Sequence, residues 1–112
     1  MSGRPAAVPG LCLRLFVGES DRREGRPLHE WIVERAREAG LAGATVTRGI
    51  EGYGVHSELH TARVLRLSSD LPMVVEIVDE RSRIEAFLPV LANEVGEAVA
   101  TLAPVEILRF GR

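Results

Sequence analysis

The chain has 112 residues, 46% of them apolar and 27% charged, with a formal charge of -2. That length fits one domain, and apolar residues mixed with scattered charges of both signs exclude both disorder and a polyelectrolyte role. Without a basic run to neutralise phosphates, nucleic-acid binding is excluded as the main purpose, which leaves small molecules and proteins as expected partners.

Met1 to Gly10 carries two prolines and two glycines and no apolar h-region. Residues 1–10 therefore read as a disordered tail, with a single domain over 11–112. No stretch approaches the ~20 apolar residues that span a bilayer. The single Cys12 rules out an internal disulfide, and its apolar setting reads as a buried small hydrophobe in a reducing, cytoplasmic protein.

Leu11 to Val17 is short, nearly all apolar and closed by Gly18, the pattern of a strand covered on both faces. From Pro27 to Ala39, residues Leu28, Trp31, Ile32, Ala36 and Ala39 form one helical stripe, with Pro27 suited to the first turn and Gly40 to the stop. Ala44 to Arg48 alternates as a second strand and runs into a stretch punctuated by Gly49, Gly52 and Gly54. Between Val55 and Leu71 the chain is mixed: Thr61 to Leu67 can extend a strand or hairpin, and Ser68, Ser69, Asp70 and Pro72 mark a turn. Met73 to Val78 is a further strand. Asp79 can cap the helix that follows, whose stripe is Ile84, Phe87, Leu88, Leu91 and Val95, and Pro89 is expected to bend it. The last strand is expected at Val105 to Phe110, after Pro104.

This order predicts an α+β, ferredoxin-like βαββαβ fold: a four-stranded antiparallel sheet with strands one and three central and two helices on one face. The open face is expected to carry Cys12, Arg14 and Phe16, then Val74, Glu76 and Val78, then Glu106, Leu108 and Phe110. A face so apolar predicts a subunit interface, with Arg14 neutralised by Glu76 and Glu106.

The residues capable of chemistry read as follows. Glycines 49, 52 and 54 suit a bulge and a flexible strand exit, and no helix follows them, so they are not a dinucleotide fingerprint. His56 and His60, with Glu58 between them, can share a helical face, but two histidines without a third firm ligand read as solvated loop residues, so no metal is expected. His29 reads as a solvated surface residue near the helix start. Glu19, Asp21 and Glu24 alternate with Arg22, Arg23 and Arg26 as a solvated loop of mixed charge. There is no nucleophile with a base, no metal-ligand cluster and no cofactor motif, so a non-enzymatic protein is expected.

Four segments carry a resemblance: Leu13-Arg-Leu-Phe-Val-Gly-Glu-Ser-Asp21, Pro27-Leu-His-Glu, Gly43-Ala-Thr-Val-Thr-Arg-Gly-Ile-Glu-Gly-Tyr-Gly54 and Leu71-Pro-Met-Val-Val-Glu-Ile-Val-Asp79. Together they resemble domain-of-unknown-function family 190, which is grouped with the PII-like signalling proteins. Thr45-Val-Thr47, Gly52-Tyr-Gly54, Glu58-Leu-His60 and Pro72 to Val78 are also similar to PII proteins themselves. The resemblance implies a homotrimer with small-molecule sites in clefts between subunits, each at the base of a long loop after the second strand. Ligand would reshape that loop, and the loop would meet a partner protein. It implies ligand-binding roles for Arg48, Gly52, Tyr53, Gly54 and Arg109, with an anionic metabolite, first of all an adenine nucleotide, as ligand. One segment departs from the pattern: Asn93-Glu-Val-Gly-Glu-Ala-Val99 stands where PII proteins carry a glycine- and lysine-rich phosphate cradle, and the chain has no lysine at all. A less charged adenylate or another metabolite then becomes as good a candidate as a triphosphate. Two alternatives stay open, a trimeric metal-binding or ion-homeostasis protein using His56, Glu58 and His60, and a structural accessory of a membrane transporter.

Overall fold

The computed structural model describes residues 3–53, 60–61 and 70–111. In chain order the elements are β1 (Ala7–Gly18), the two-residue strands β2 (Arg22–Arg23) and β3 (Arg26–Pro27), α1 (Leu28–Glu38), β4 (Ala44–Arg48), β5 (Glu51–Gly52), β6 (His60–Thr61), β7 (Pro72–Glu80), α2 (Arg81–Glu94) and β8 (Val99–Leu108). The main sheet has the order β4-β7-β1-β8 and is antiparallel throughout. The ferredoxin-like arrangement expected from the element order is therefore what the chain forms, with strands one and three of the four central.

β7 alternates strictly: Met73, Val75, Ile77 and Asp79 are buried, and the residues between them are half-buried. The register Leu13↔Ile77 and Leu15↔Val75 places the odd-numbered residues of β1 on the same side. There they meet Trp31, Ile32 and Ala36 of α1 and Ile84, Phe87 and Leu91 of α2 in one core. The helical stripes are the ones the spacing predicts, except that Ala39 is exposed and caps α1 rather than joining its buried side. α1 stops where expected, at Gly40 with φ +79°, and the Leu41 N–H donates back to the Ala36 carbonyl at 3.1 Å.

Three features differ from the sequence expectation, while Pro89 lies inside α2 as expected. β1 begins at Ala7 rather than Leu11, because residues 7–10 pair with 105–108 of β8. Pro27 precedes α1 as its N-cap instead of sitting in the first turn. β8 begins at Val99 and contains Pro104, which an edge strand tolerates because one side of its backbone has no strand to donate to.

The last difference reassigns a face. With Arg14 opposite Thr101 and Phe16 opposite Val99, the open face receives Val99, Thr101, Ala103, Val105 and Ile107 from β8. Glu106 and Leu108 fall on the other parity, and Phe110 lies beyond the strand. Arg14 is flanked by Glu76, its partner at 2.7 Å, and by Thr101. Glu106 instead pairs with Arg4 at 2.6 Å. A one-residue change of register moves every side chain of a strand across the sheet.

Asp79 does not cap α2 through the first free N–H groups of its turn; Glu80 is the N-cap, without a side-chain bond. Its buried carboxylate ties three elements together instead. It accepts from the Ala42 N–H at 2.9 Å, the Glu80 N–H at 2.7 Å and Arg83 Nε at 3.0 Å. Burial alone would raise its pKa, but these bonds and the Arg83 charge outweigh it and hold the group below its usual value of 3.8. A depressed folded-state pKa stabilises the fold fully above 3.8, and that contribution is lost as pH falls through the folded value. Asp79→Ala is expected to cost about 1.5 to 3 kcal/mol near neutral pH, the worth of a hydrogen bond to a charged group. The difference from the parent should shrink below pH 3.8 in urea melts.

Candidate functional site

The base of the long segment between β4 and β7 is built at one end of the sheet. There Gly18 of β1 pairs with Pro72, and Arg48, the last residue of β4, pairs with Met73. The Gly49 N–H donates to the Pro72 carbonyl at 2.7 Å, which turns the chain out of the sheet. A Cβ on Gly49 would stand 2.9 Å from Pro72 Cγ, and one on Gly52 would stand 3.0 Å from the same atom. Both glycines thus pack the loop stem closely on Pro72, Gly49 so tightly that a side chain there would force a shift. A side chain at Gly52 would meet Pro72, a neighbour that the sequence alone does not announce. The stem continues as β5, whose Glu51 and Gly52 pair with Thr61 and His60 of β6.

Beside the stem, the turn after β1 is held by carboxylates. The Gly18 N–H donates to Asp21 Oδ2 at 2.8 Å and the Ser20 N–H to Asp70 Oδ1 at 2.9 Å. The Glu19 N–H donates to the Leu71 carbonyl at 2.8 Å, and the Glu19 carboxylate takes the Arg48 guanidinium at 3.0 Å. Glu19 and Asp21, expected to be merely solvated, thus fix the shape of this turn together with Asp70. The signal was available in Gly18-Glu-Ser-Asp21, a glycine followed by turn-forming polar residues directly after a strand.

Of the residues the resemblance points to, Arg48 and Gly52 come together at this base, and Tyr53 follows them, 73% exposed. Gly54, His56 and Glu58 lie outside the described residues, as does most of the span 55–71. Arg109 does not join Arg48 within one chain. It follows Leu108, which pairs with Ala7 at the opposite end of β1. At about 3.3 Å per strand residue, the run from Ala7 to Val17 separates the two ends by roughly 30 Å, in a chain 57 Å long. The Arg109 end also holds an open groove lined by Val8, Pro9, Glu80, Arg81, Ser82 and Glu85, where Arg81 pairs with Glu85 at 3.1 Å.

The open sheet face between these ends is a polar row set in apolar ones. Phe16, with Val74 and Val99 opposite it, is 40% exposed and Val99 54%. Next come Arg14, Glu76 and Thr101, then Cys12, Val78 and Ala103. The bond from Arg14 holds the Glu76 carboxyl below its usual range. Burial, then the Glu76 charge and a hydrogen bond to it, push the Cys12 thiol up. Cys12 is thus a packed side chain in a setting that disfavours the thiolate a reactive cysteine needs. No group of three or more histidine, cysteine or carboxylate side chains suited to a metal occurs among the described residues, and no helix among them is long and apolar enough to cross a membrane.

The sequence matches the model of family DUF190, described as "Uncharacterized ACR", over residues 10–107. It is 42% identical over 96 residues to a UPF0166 protein of Aquifex aeolicus, covering 86% of this chain and 90% of that one. A UPF0166 protein of Methanocaldococcus jannaschii is 37% identical over 84 residues, covering 75% and 77%. Among solved structures, the fold is similar to a putative PII-like signaling protein from Thermus thermophilus, with a TM-score of 0.67 at 17% identity over 91% of this chain and 92% of that one. It is also similar to CPII, a nitrogen regulatory PII-like protein from Thiomonas intermedia bound to ADP, AMP and bicarbonate, with a TM-score of 0.62 at 15% identity over 93% and 92%.

Proposed function

Because the chain belongs to the DUF190 family and has the fold of PII-like proteins, we propose that it is a non-enzymatic, PII-like regulatory protein that senses a small anionic metabolite, with an adenine nucleotide as first candidate. The observation that carries this reading is the fold match over 93% of the chain to CPII, a protein bound to ADP and AMP. The loop base of this chain supports it: Arg48 offers a guanidinium fork suited to phosphate or carboxylate oxygens, next to a stem anchored on Pro72. Ligand bound there would shift the segment after the stem between two states and so change its affinity for a protein partner.

The distance between Arg48 and Arg109 makes the proposed site a shared one. The two arginines can contribute to one ligand only if a second copy brings its Arg109 end to this base. A trimer closed through the open sheet faces supplies such a neighbour, and the exposed Phe16 and Val99 favour it.

Titration calorimetry with ADP and AMP tests the reading. The parent is expected to bind, and Arg48→Ala and Arg109→Ala are each expected to weaken binding by about 1.5 to 3 kcal/mol, the worth of a hydrogen bond to a charged group. Unchanged affinity in both variants would move the site elsewhere. No heat from the parent at millimolar nucleotide would reject the adenine nucleotide as ligand.

A further inference from the structure

Among the described residues, the charges around the loop base run against a strongly anionic ligand. Arg48 lies among Glu19, Asp21, Asp70 and Glu51, all at the end of the sheet where β1 pairs with Pro72. Asp21 and Asp70 are engaged by backbone N–H groups of the turn. Glu19 is different, since its carboxylate is committed to Arg48 itself at 3.0 Å. Its backbone is pinned by the bond from its N–H to Leu71, and its side chain is about a quarter exposed, with 48% for that of Arg48. The pair is therefore held in position and still open to solvent on the guanidinium side.

Resting on the proposed reading of this base as an anion site, we propose that Glu19 is its specificity-determining residue: by neutralising Arg48 it makes the site select ligands of low negative charge, a nucleoside monophosphate over a nucleoside triphosphate. The guanidinium still presents N–H donors to one phosphate. Each further phosphate adds charge that meets the Glu19 carboxylate, and the penalty grows with ligand charge. With no lysine in the chain, arginine alone supplies its side-chain counter-charge, and Glu19 already takes that of Arg48. Glu19 acts through Arg48 and through the field at the site, without needing to touch the ligand.

Affinities for AMP, ADP and ATP, measured by calorimetry on the full chain at low salt, test this. The parent is expected to bind AMP more tightly than ATP. Glu19→Gln keeps the size and hydrogen-bonding ends of the side chain and is expected to raise ATP affinity by roughly two- to fivefold more than AMP affinity, with the gap narrowing at high salt. In an Arg48→Ala background the same change should have a smaller effect on the ratio, because the two residues act as a pair. Glu51→Gln, which removes a nearby acid that Arg48 does not hold, should shift the ratio less than Glu19→Gln. An unchanged ATP-to-AMP ratio in Glu19→Gln, an equal shift in Glu51→Gln, or uniformly weaker binding would overturn the specificity role and leave the anion site standing. Absence of binding of all three nucleotides to parent and variants alike would overturn the site, and the specificity role with it.

Discussion

Replacing Phe16 by aspartate is expected to reduce the proposed assembly to monomers. Phe16 is the largest side chain on the open sheet face, 40% exposed and flanked by Val74 and Val99. The neighbouring polar row is already neutral, because Arg14 is matched by Glu76 at 2.7 Å. A second copy laid on this face would bury the new carboxylate with no cation left to pair with it. An unpaired buried charge costs several kcal/mol, on the order of the stability margin of a small domain. Sedimentation at micromolar concentration should show the parent as an oligomer and Phe16→Asp as a folded monomer. Leu108→Asp is the control, since Leu108 pairs with Ala7 and takes the other face. If Phe16→Asp stays oligomeric while Leu108→Asp dissociates, the interface is on the helix side; a monomeric parent would reject the assembly altogether.

Trp31→Ala should be the most destabilising single truncation in α1. The indole is 2% exposed and sits in the core between the helix and the sheet. The guanidinium carbons of Arg23 and Arg35 lie 5.7 and 5.3 Å from its ring centroid. Arg23 comes from the β2–β3 hairpin, whose turn has Glu24 at φ +55° and Gly25 at φ +76°, and the same arginine pairs with Glu94 at the end of α2. Removing the ring therefore opens a cavity and releases the hairpin from the helix. The expected loss is about 3 to 5 kcal/mol, the range for truncating a buried large aromatic. The indole N–H has no hydrogen-bond partner among the described residues, so Trp31→Phe should lose much less. Denaturant melts compare the two directly. Equal losses would mean that a benzyl ring cannot replace the packing of the full indole between the helix and the sheet.

The element order, the two helical stripes and the buried parity of β7 were legible in the sequence because each is set by local periodicity. A spacing of three and four puts Trp31, Ile32 and Ala36 on one stripe, and alternation puts Val75 and Ile77 on one face, wherever the neighbours lie. The motifs around Arg48 and Pro72 were legible for the same reason, as contiguous segments. β8 was not. Its sequence, Val99 to Leu108, is apolar on both parities, so no alternation announces which residues face the helices; pairing with β1 decides it, and the answer was opposite to the one expected for Glu106 and Leu108. The start of β1 at Ala7 likewise depends on a partner more than ninety residues away in the chain. The close packing of Gly49 and Gly52 is set by Pro72, a neighbour only across the sheet. Most consequential for function, chain order places Arg48 and Arg109 on two strands of one sheet without saying at which end. The antiparallel register sets them at opposite ends, so any ligand they share must lie between two copies of the chain. Local chemistry along the chain determined which elements form, and long-range pairing alone determined which residues meet.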